Sequence, residues 1–258
     1  MLIARVMPCL LLRGAALVKT IQFRNPGYVG APINAIRIYN EKEVDELIFL
    51  DIAATAEGKC PPLKLLSEIA SECFMPVAYG GGVSRLEDVD AILSLGIEKV
   101  VINSHAVADP SFITRVAGKY GSQAVVVSVD VKRTLFGKYE VFTHGGRKAT
   151  GLDPAVWAVQ AEEAGAGEIL VTSIDRDGTG KGYDIELLKR VTSRVSVPVV
   201  ASGGAGKVED CGIAVREGGA SAAALGSMAV YHGRNRAVLI NFPTRDELDR
   251  VLPGGVTT

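Results

Sequence analysis

The sequence predicts an α/β protein built as a single (β/α)8 barrel, the TIM-barrel fold. Eight short apolar runs, each about the length of a buried strand, alternate with longer amphipathic stretches along the 258 residues. Eight strand–helix units in about 250 residues is the usual size of such a barrel. The chain also repeats itself at half its length, which is the pattern expected of a barrel made from two duplicated half-barrels.

The eight runs are rich in β-branched and small residues. Strands of a parallel sheet are covered by helices on their outer face, so they read as continuous apolar runs. In chain order the runs are ARVMPCLL (4–11), DELIFLDIAA (45–54), MPVAYGG (75–81), EKVVINS (98–104), AVVVSVDV (124–131), GEILVTSID (167–175), VPVVASGG (197–204) and AAALGS (222–227). Helical patterns lie between them, for example at 84–96 and 184–195. An open doubly wound sheet is the alternative, although eight evenly spaced strands favour a closed barrel.

The internal repeat relates the two halves of the chain. The matching segments are VPVVASGGAGKVED (197–210) with MPVAYGGGVSRLED (75–88), LGSMAV (225–230) with INSHAV (102–107), GEILVT (167–172) with DELIFL (45–50), and QAVVVSVDVK (123–132) with ARVMPCLLLR (4–13). We therefore predict one domain over residues 1–258, with half-barrels at about 1–120 and 121–252.

Composition excludes several classes of protein. The 28 basic residues nearly balance the 29 acidic ones, so there is no electrostatic basis for binding nucleic acid or an anionic membrane. No apolar run approaches the length of a membrane helix. The four cysteines form no C-x-x-C pair and only three histidines occur, which predicts no metal site. Such cysteine usage is typical of the cytoplasm; a signal peptide built on the short run 6–12 is the weaker alternative.

Two glycine-rich turns predict a pair of phosphate-binding sites. Ligand sites of (β/α)8 barrels lie on the loops that follow the strands. Glycines allow backbone N–H groups to approach a phosphate, and a serine at a helix start adds a hydroxyl. The arrangement occurs twice at symmetric positions, which favours a ligand with two phosphates over the alternative of simple tight turns. The residues are Gly80, Gly81, Gly82, Asn103 and Ser104 in the first half, and Gly203, Gly204, Gly226 and Ser227 in the second.

Acidic residues at the strand ends are candidates for proton transfer. Asp130 follows the apolar part of VVVSVDVK, where a carboxylate needs a functional reason, so we predict a catalytic role for it. Asp51, Asp175 and Asp177 also follow strands, and shaping the turn is the alternative for them. Lys19, in the predicted loop after the first run, is a candidate cation over a substrate, with a solvated loop lysine as the alternative.

Four charged residues stand at the opposite ends of the strands. They are Arg5, Glu46, Lys99 and Glu168, each at or just before the start of an apolar run. In one interpretation, these two cations and two anions pair with one another in a ring at the base of the barrel. Such a ring can be partly buried, because paired charges tolerate burial better than a single charge does. Four separate solvated charges are the alternative.

Several long stretches of the sequence together indicate a family. They are FLDI, GGGV, KVVINS, GSQAVVVSVDVK, THGGRKATGLD, GAGEILVTSIDRDGTGKGYD and VPVVASGGAGKVED. Through them the chain resembles, over essentially its full length, the HisF family, the cyclase subunit of imidazole glycerol phosphate synthase. The sister isomerase HisA shares the barrel but lacks THGGRK and the extended SIDRDGTG run.

The resemblance implies a heterodimer with a HisH-like glutaminase subunit. Ammonia made by that partner enters at the base of the barrel and travels through its interior. In the family it reacts with PRFAR, a linear bisphosphorylated ribonucleotide, giving imidazole glycerol phosphate and AICAR in histidine biosynthesis. The family uses no cofactor.

The resemblance also implies roles for individual residues. Asp130 matches the second catalytic aspartate, Lys19 the lysine of the first loop, and Asp177 a supporting acid. The phosphate sites match Gly82, Asn103, Ser104, Gly204, Gly226 and Ser227, and the gate to the ammonia channel matches Arg5, Glu46, Lys99 and Glu168.

One departure from the family pattern concerns position 11. The half-barrel equivalent of Asp130 is Leu11, and the family's first catalytic aspartate falls at the same position. A leucine cannot transfer a proton, and loss of one acid or base typically costs about 10²–10⁴-fold in rate. We therefore favour a barrel that conducts ammonia to a third protein, a separate amidotransferase acting for example on a nucleotide sugar for surface polysaccharide. An ordinary histidine-pathway cyclase and a scaffold that only activates its glutaminase are the alternatives.

Overall fold

The computed structural model describes residues 4–134, 137–233 and 235–252. Its strands are β1 (Arg5–Arg13), β2 (Ala16–Ile21), β3 (Arg24–Gly30), β4 (Leu47–Asp51), β5 (Val77–Gly80), β6 (Lys99–Ile102), β7 (Val125–Arg133), β8 (Tyr139–Thr143), β9 (Lys148–Ala149), β10 (Glu168–Ser173), β11 (Val199–Ser202), β12 (Ala222–Leu225), β13 (Tyr231–His232) and β14 (Ala237–Val238). The helices are α1 (Pro32–Glu41), α2 (Ala54–Glu57), α3 (Leu63–Glu72), α4 (Leu86–Ser94), α5 (Ser104–Ala108), α6 (Ser111–Tyr120), α7 (Pro154–Glu163), α8 (Ile185–Thr192), α9 (Val208–Arg216), α10 (Ser227–Val230) and α11 (Arg245–Val251).

Eight parallel strands close into a barrel, which confirms the predicted fold class. The strand order is β1, β4, β5, β6, β7, β10, β11, β12 and back to β1. Each of the eight apolar runs overlaps one of these strands, and β1 and β7 extend two residues beyond their runs. Both predicted helical stretches are also confirmed, as α4 and α8. Strands β1 and β7 stand four positions apart in either direction around the ring, so they face each other across the barrel.

The inward and outward faces of the strands alternate, which sets up two apolar regions. On β1, Val6, Leu10 and Leu12 pack outward against the helices, whereas Met7 and Cys9 belong to a separate cluster inside the barrel. Successive side chains of a strand point to opposite faces, so every second residue faces the interior. The interior cluster is Met7, Cys9, Ile48, Ala78, Val101, Val126, Leu170, Val200, Ala222 and Ala224.

The two halves carry matching additions to the barrel. A β-hairpin, β2–β3, follows β1, and a second, β8–β9, follows its half-barrel equivalent β7. Helices α4 and α9 also begin alike: Asp88 accepts backbone N–H groups of Ser84 and Arg85, and Asp210 those of Gly206 and Lys207. These shared details support the duplication, while the boundaries at about 120 and 252 stay predictions.

The predicted loop position of Lys19 is wrong, because the residue lies in β2. The chain turns back directly after β1, and β2 pairs with β1 in antiparallel register from Leu11–Val18 to Arg13–Ala16. Apolar periodicity did not indicate this hairpin, since only part of it is buried. Within the described residues, no helix has both the length and the apolar character needed to cross a bilayer.

Candidate active site at the carboxyl ends of the strands

A deep cavity of about 690 Å³ opens where the barrel strands end. Its wall is formed by the loops and strand ends of both half-barrels. The predicted residues that line it are Lys19, Asp51, Gly80, Gly81, Gly82, Asn103, Ser104, Asp130, Asp177, Gly203, Gly204, Gly226 and Ser227. The fold therefore brings both glycine-rich turns and the candidate proton-transfer groups to one site, as ligand sites of this fold require.

Asp130 is held on β7 by two polar neighbours. Its carboxylate accepts hydrogen bonds from Ser128 Oγ, at 3.1 Å, and from the side-chain amide of Asn103, at 3.3 Å. Burial raises the pKa of Asp130 to about 7; the Ser128 hydroxyl lowers it, and the charge of Asp177 raises it. A carboxyl group with a pKa near neutrality can both give and accept a proton at physiological pH, as a general acid or base must.

We expect the protonation of Asp130 to make stability depend on pH. An unfolded Asp has a pKa of about 4, so between pH 4 and 7 the folded chain keeps a proton that the unfolded chain has lost. The stability contribution is full below pH 4, declines as pH rises to about 7 and is constant above that. The free energy of unfolding of Asp130→Asn, measured in urea relative to that of the wild type, should therefore rise by about 3 kcal/mol between pH 4.5 and 7.5.

The control for this experiment is Asp246→Asn, at an exposed position of α11. Its stability difference from the wild type should change much less between the two pH values. An Asp130→Asn difference that stays constant between pH 4.5 and 7.5 would contradict the raised pKa. Carbon-13 NMR of the Asp130 carboxyl measures the same titration directly.

Leu11 faces the site from the strand opposite Asp130. It lines the cavity beside Cys9 and Leu50 and is 9% exposed. The inward residues of β1 therefore run from Met7 through Cys9 to Leu11 without a charge. The symmetric position that carries a carboxylate on β7 carries an aliphatic side chain on β1.

Lys19 is a buried ion-pair partner rather than a solvated lysine. It is 5% exposed, and its ammonium donates to Asp177 Oδ1, at 2.8 Å, and to the backbone carbonyl of Thr20, at 3.0 Å. The Thr20 hydroxyl donates to the other oxygen of Asp177, at 3.1 Å. The Gln22 backbone N–H donates to the Asp177 carbonyl as well. Asp177 thus attaches the β2–β3 hairpin to the loop after β10, across the mouth of the cavity.

The first glycine-rich turn, which we name cradle 1 (Gly82, Asn103 and Ser104), depends on a glycine for its shape. Gly82 has a φ of 70°, and a Cβ there would overlap the Lys59 carbonyl oxygen. Ser104 Oγ accepts the backbone N–H of His144, at 2.9 Å. The Asn103 amide is turned into the barrel wall, where it donates to the Ser128 carbonyl, at 3.0 Å, as well as to Asp130. Its predicted role as a phosphate ligand stays a prediction.

The second glycine-rich turn, cradle 2 (Gly204, Gly226 and Ser227), is equally tight. Gly204 has a φ of 122°, and a Cβ there would overlap the carbonyl oxygen of Gly182. Ser227 begins α10, and its hydroxyl accepts a hydrogen bond from Arg236, at 3.4 Å. Both cradles therefore present backbone and one hydroxyl to the cavity, which suits an anion.

The other two acids at strand ends shape loops. Asp51 accepts the backbone N–H groups of Ala53, at 2.9 Å, and Ala54, at 3.1 Å. Burial, only partly offset by these bonds, raises its pKa. Asp175 accepts the backbone N–H of Arg133, at 2.8 Å. Both contacts agree with the turn-shaping alternative.

At the opposite end of the barrel, four charged side chains form a closed ring of ion pairs, which we name the basal ring. Arg5 contacts Glu46, at 2.6 Å, and also Glu168. Lys99 contacts Glu46, at 2.9 Å, and Glu168, at 3.1 Å. Both carboxylates are buried. Burial lowers the pKa of Arg5, but the two carboxylates outweigh it, so the pKa lies above its ordinary value.

The interior of the barrel joins the basal ring to the cavity through apolar side chains. Each ring residue is followed two positions later by an inward apolar residue. These are Met7, Ile48, Val101 and Leu170, all in the interior cluster.

Several residues that line or border the cavity were not predicted as site residues, although His144 and Arg147 lie in the THGGRK motif. Arg13, His144 and Arg147 line its wall, and Phe23 reaches it from the tip of the β2–β3 hairpin. Arg236, from the turn between β13 and β14, contacts its rim. These residues lie on hairpins that the apolar periodicity does not predict. Among the described ranges, no group of three or more His, Cys, Asp or Glu is placed to hold a metal ion.

The protein is a (β/α)8 barrel whose cavity lies on the carboxyl-terminal loops, where barrels of this fold hold their ligands. The profile of the family described as "Histidine biosynthesis protein" matches residues 5–236. A Pseudomonas aeruginosa protein named hisF2 is 51% identical over 245 residues, covering 95% of this chain and 98% of its own. The "Imidazole glycerol phosphate synthase subunit HisF" of Hyphomonas neptunium is 50% identical over 232 residues, 90% of this chain and 91% of its own.

A third relative, the "Imidazole glycerol phosphate synthase subunit HisF" of Alkaliphilus metalliredigens, is 45% identical over 232 residues and covers 90% of this chain and 92% of its own length. The chain belongs to the histidine biosynthesis protein family and, within it, to the HisF proteins. The resemblance predicted from its motifs is confirmed.

Proposed function

We propose that this chain is the barrel subunit of a glutamine amidotransferase pair that conducts ammonia to a separate amidotransferase. A HisH-like glutaminase subunit would release the ammonia at the basal ring. The observation that carries the proposal is Leu11, which occupies the position opposite Asp130 in the cavity.

The path for ammonia is supported by the order of residues inside the barrel. The basal ring closes the lower end of the barrel with paired charges. Above the ring, the interior cluster offers only apolar side chains. An uncharged molecule crosses such a lining readily, whereas ammonium would pay a large desolvation cost there. Ammonia therefore reaches the cavity in its neutral, nucleophilic form.

The cavity lacks one of the two titratable groups that ring closure on a ribonucleotide requires. That chemistry calls for an acid and a base on opposite sides of the substrate. Asp130 supplies one side, and Leu11 supplies no titratable group on the other. Lys19 and Asp177 neutralise each other at 2.8 Å, which leaves neither free to replace the missing acid.

The proposed acceptor is a substrate of the third protein, for example a nucleotide sugar used in surface polysaccharide. The two cradles are proposed to keep a bisphosphorylated ligand of the ribonucleotide type in the cavity. A cytoplasmic location agrees with this chemistry, because nucleotide-linked metabolites are made there.

A second candidate function is the ordinary cyclase of histidine biosynthesis. It is favoured by Asp130, with its pKa of about 7, and by the two intact cradles around it. In that case Asp130 alone carries both proton transfers, taking a proton in one step and returning it in the next.

The test is the turnover of PRFAR by the wild-type chain with saturating ammonium at high pH. Added ammonium removes any need for a glutaminase partner. The proposal predicts no consumption of PRFAR at rates near those of a working cyclase. Robust turnover would overturn it and establish the cyclase.

The pairing with a glutaminase is tested separately. The HisH-like subunit of the same organism is mixed with this chain, and glutamine hydrolysis is followed. We expect hydrolysis to accelerate on binding, since ammonia gains an exit through the barrel. A rate that does not change when this chain is added would overturn the pairing.

A further inference from the structure

Arg236 lies at the rim of the cavity and contacts both Ser227 of cradle 2 and the loop after β10. Its guanidinium donates to the backbone carbonyl of Gly178, at 3.1 Å, and to Ser227 Oγ, at 3.4 Å. Both acceptors line the cavity. The side chain thus joins the loop after β10 to the start of α10.

The hairpin β13–β14 fixes the position of this side chain. Its strands pair Tyr231 with Val238 and His232 with Ala237, which places Arg236 in the connecting turn. There it has a φ of 50°, the left-handed region that non-glycine residues seldom adopt. The guanidinium lies 4.7 Å from the centre of the Tyr231 ring, a cation–π distance that orients its plane.

The electrostatic surroundings leave the charge of Arg236 available. No Asp or Glu occurs in the segment 218–245 that contains the hairpin, and Asp177, next to Gly178, is paired with Lys19. Within the described part of the chain, Arg236 forms no ion pair with a carboxylate. A guanidinium has five N–H donors, and the two observed bonds use two of them. The remaining donors and the full positive charge are left for an anion.

We propose that Arg236 is the cationic ligand of cradle 2 and binds the phosphate group held there. The inference rests on the proposed function, in which the cradles bind a bisphosphorylated ligand. The groups of cradle 2 itself are neutral backbone N–H groups and the Ser227 hydroxyl, and the Lys19 ammonium, which lies beside Gly226, is already paired with Asp177. A guanidinium beside them supplies charge-assisted bonds to a dianionic phosphate monoester, for which its planar fork is well suited.

The experiment is a titration of the isotope-labelled full chain with inorganic phosphate, followed by NMR of backbone amides. The amides of Gly226 and Ser227 report on cradle 2, and those of Gly82 and Ser104 report on cradle 1 in the same sample. The variants are Arg236→Met and Arg236→Lys. Arg24→Met, at an exposed arginine of β3, is the matched control.

Arg236→Met is expected to weaken phosphate binding at cradle 2 by about tenfold or more and to leave cradle 1 unchanged. Arg236→Lys should fall between Arg236→Met and the wild type, because it keeps the charge but not the fork. Arg24→Met should match the wild type at both cradles. A thermal unfolding scan without phosphate shows whether each variant is folded.

Three results would overturn the inference. If Arg236→Met changes the phosphate affinity of cradle 2 by less than twofold, Arg236 only stabilises the Gly178 loop. In that case the substitution lowers the melting temperature and leaves the phosphate affinity unchanged. An equal loss at both cradles would mean a general loss of structure. If neither cradle of the wild type responds to phosphate, the phosphate part of the proposed function fails together with the inference, whereas ammonia conduction is judged by the glutaminase assay.

Discussion

Leu11→Asp is expected to turn this barrel into a working cyclase. With PRFAR and saturating ammonium, the variant should consume PRFAR about 10²–10⁴-fold faster than the wild type. The reason is geometric: position 11 lies on β1, opposite β7, so a carboxylate there faces Asp130 across the same cavity. The substitution places a second carboxylate opposite Asp130, so that an acid and a base can act from opposite sides of the cavity that both cradles line.

The matched control is Leu11→Asn, which has nearly the same shape as Leu11→Asp but cannot transfer a proton. It should remain as inactive as the wild type. Position 11 is 9% exposed, so either polar substitution costs some stability, and a melting curve is recorded for both.

Two outcomes would contradict the prediction. Equal activity of Leu11→Asp and Leu11→Asn would show that polarity rather than proton transfer matters at this position. A folded Leu11→Asp variant that leaves PRFAR untouched would show that further changes in the cavity, beyond the missing acid, prevent ring closure.

Lys99→Met is expected to destabilise the folded chain by about 3 kcal/mol. The substitution removes one of the two cations of the basal ring and leaves the buried carboxylates of Glu46 and Glu168 to share Arg5 alone. Breaking a buried ion pair by removing one partner leaves a charge without compensation, and that is strongly unfavourable. Urea unfolding at pH 7 measures the difference.

Lys119→Met is the control for this experiment. Lys119 also forms an ion pair, with Asp90 at 2.7 Å, but its side chain is 48% exposed. Exposed pairs contribute about 0–1 kcal/mol, so this variant should remain close to the wild type. The double variant Lys99→Met with Glu168→Gln balances the charges again and should recover part of the lost stability. A Lys99→Met loss no larger than that of Lys119→Met would contradict the role of the basal ring in stability.

The sequence predicted the barrel because its signals are local. Each predicted strand is an apolar run such as AVVVSVDV (124–131), and each run overlaps one of the observed parallel strands. The internal repeat indicated which strands are equivalent, and so identified Leu11 as the counterpart of Asp130. The basal ring could also be predicted from the sequence. Its four residues lie at the starts of their strands, and closure of a barrel brings the strand starts together.

The candidate site was only partly predictable. Lys19 was expected in a loop, but the structure places it in β2 with its ammonium bound to Asp177. Asn103 was expected at a phosphate, but its amide points to Ser128 and Asp130. Arg236 had no signal at all, because it lies in a short turn between strands of two residues. The position of each of these three side chains depends on a hairpin or on a side-chain rotamer. Apolar periodicity in the sequence predicts neither.

The sequence by itself determined the strand count, the duplication and the residue types at each strand end. Those features follow from burial patterns that repeat within a few residues. Only the tertiary structure decided which side chains meet: Lys19 with Asp177 across 158 residues, and Arg5 with Glu168 across 163. Such contacts are set by closure of the barrel and by strand register, and both depend on the packing of the whole chain rather than on any local segment.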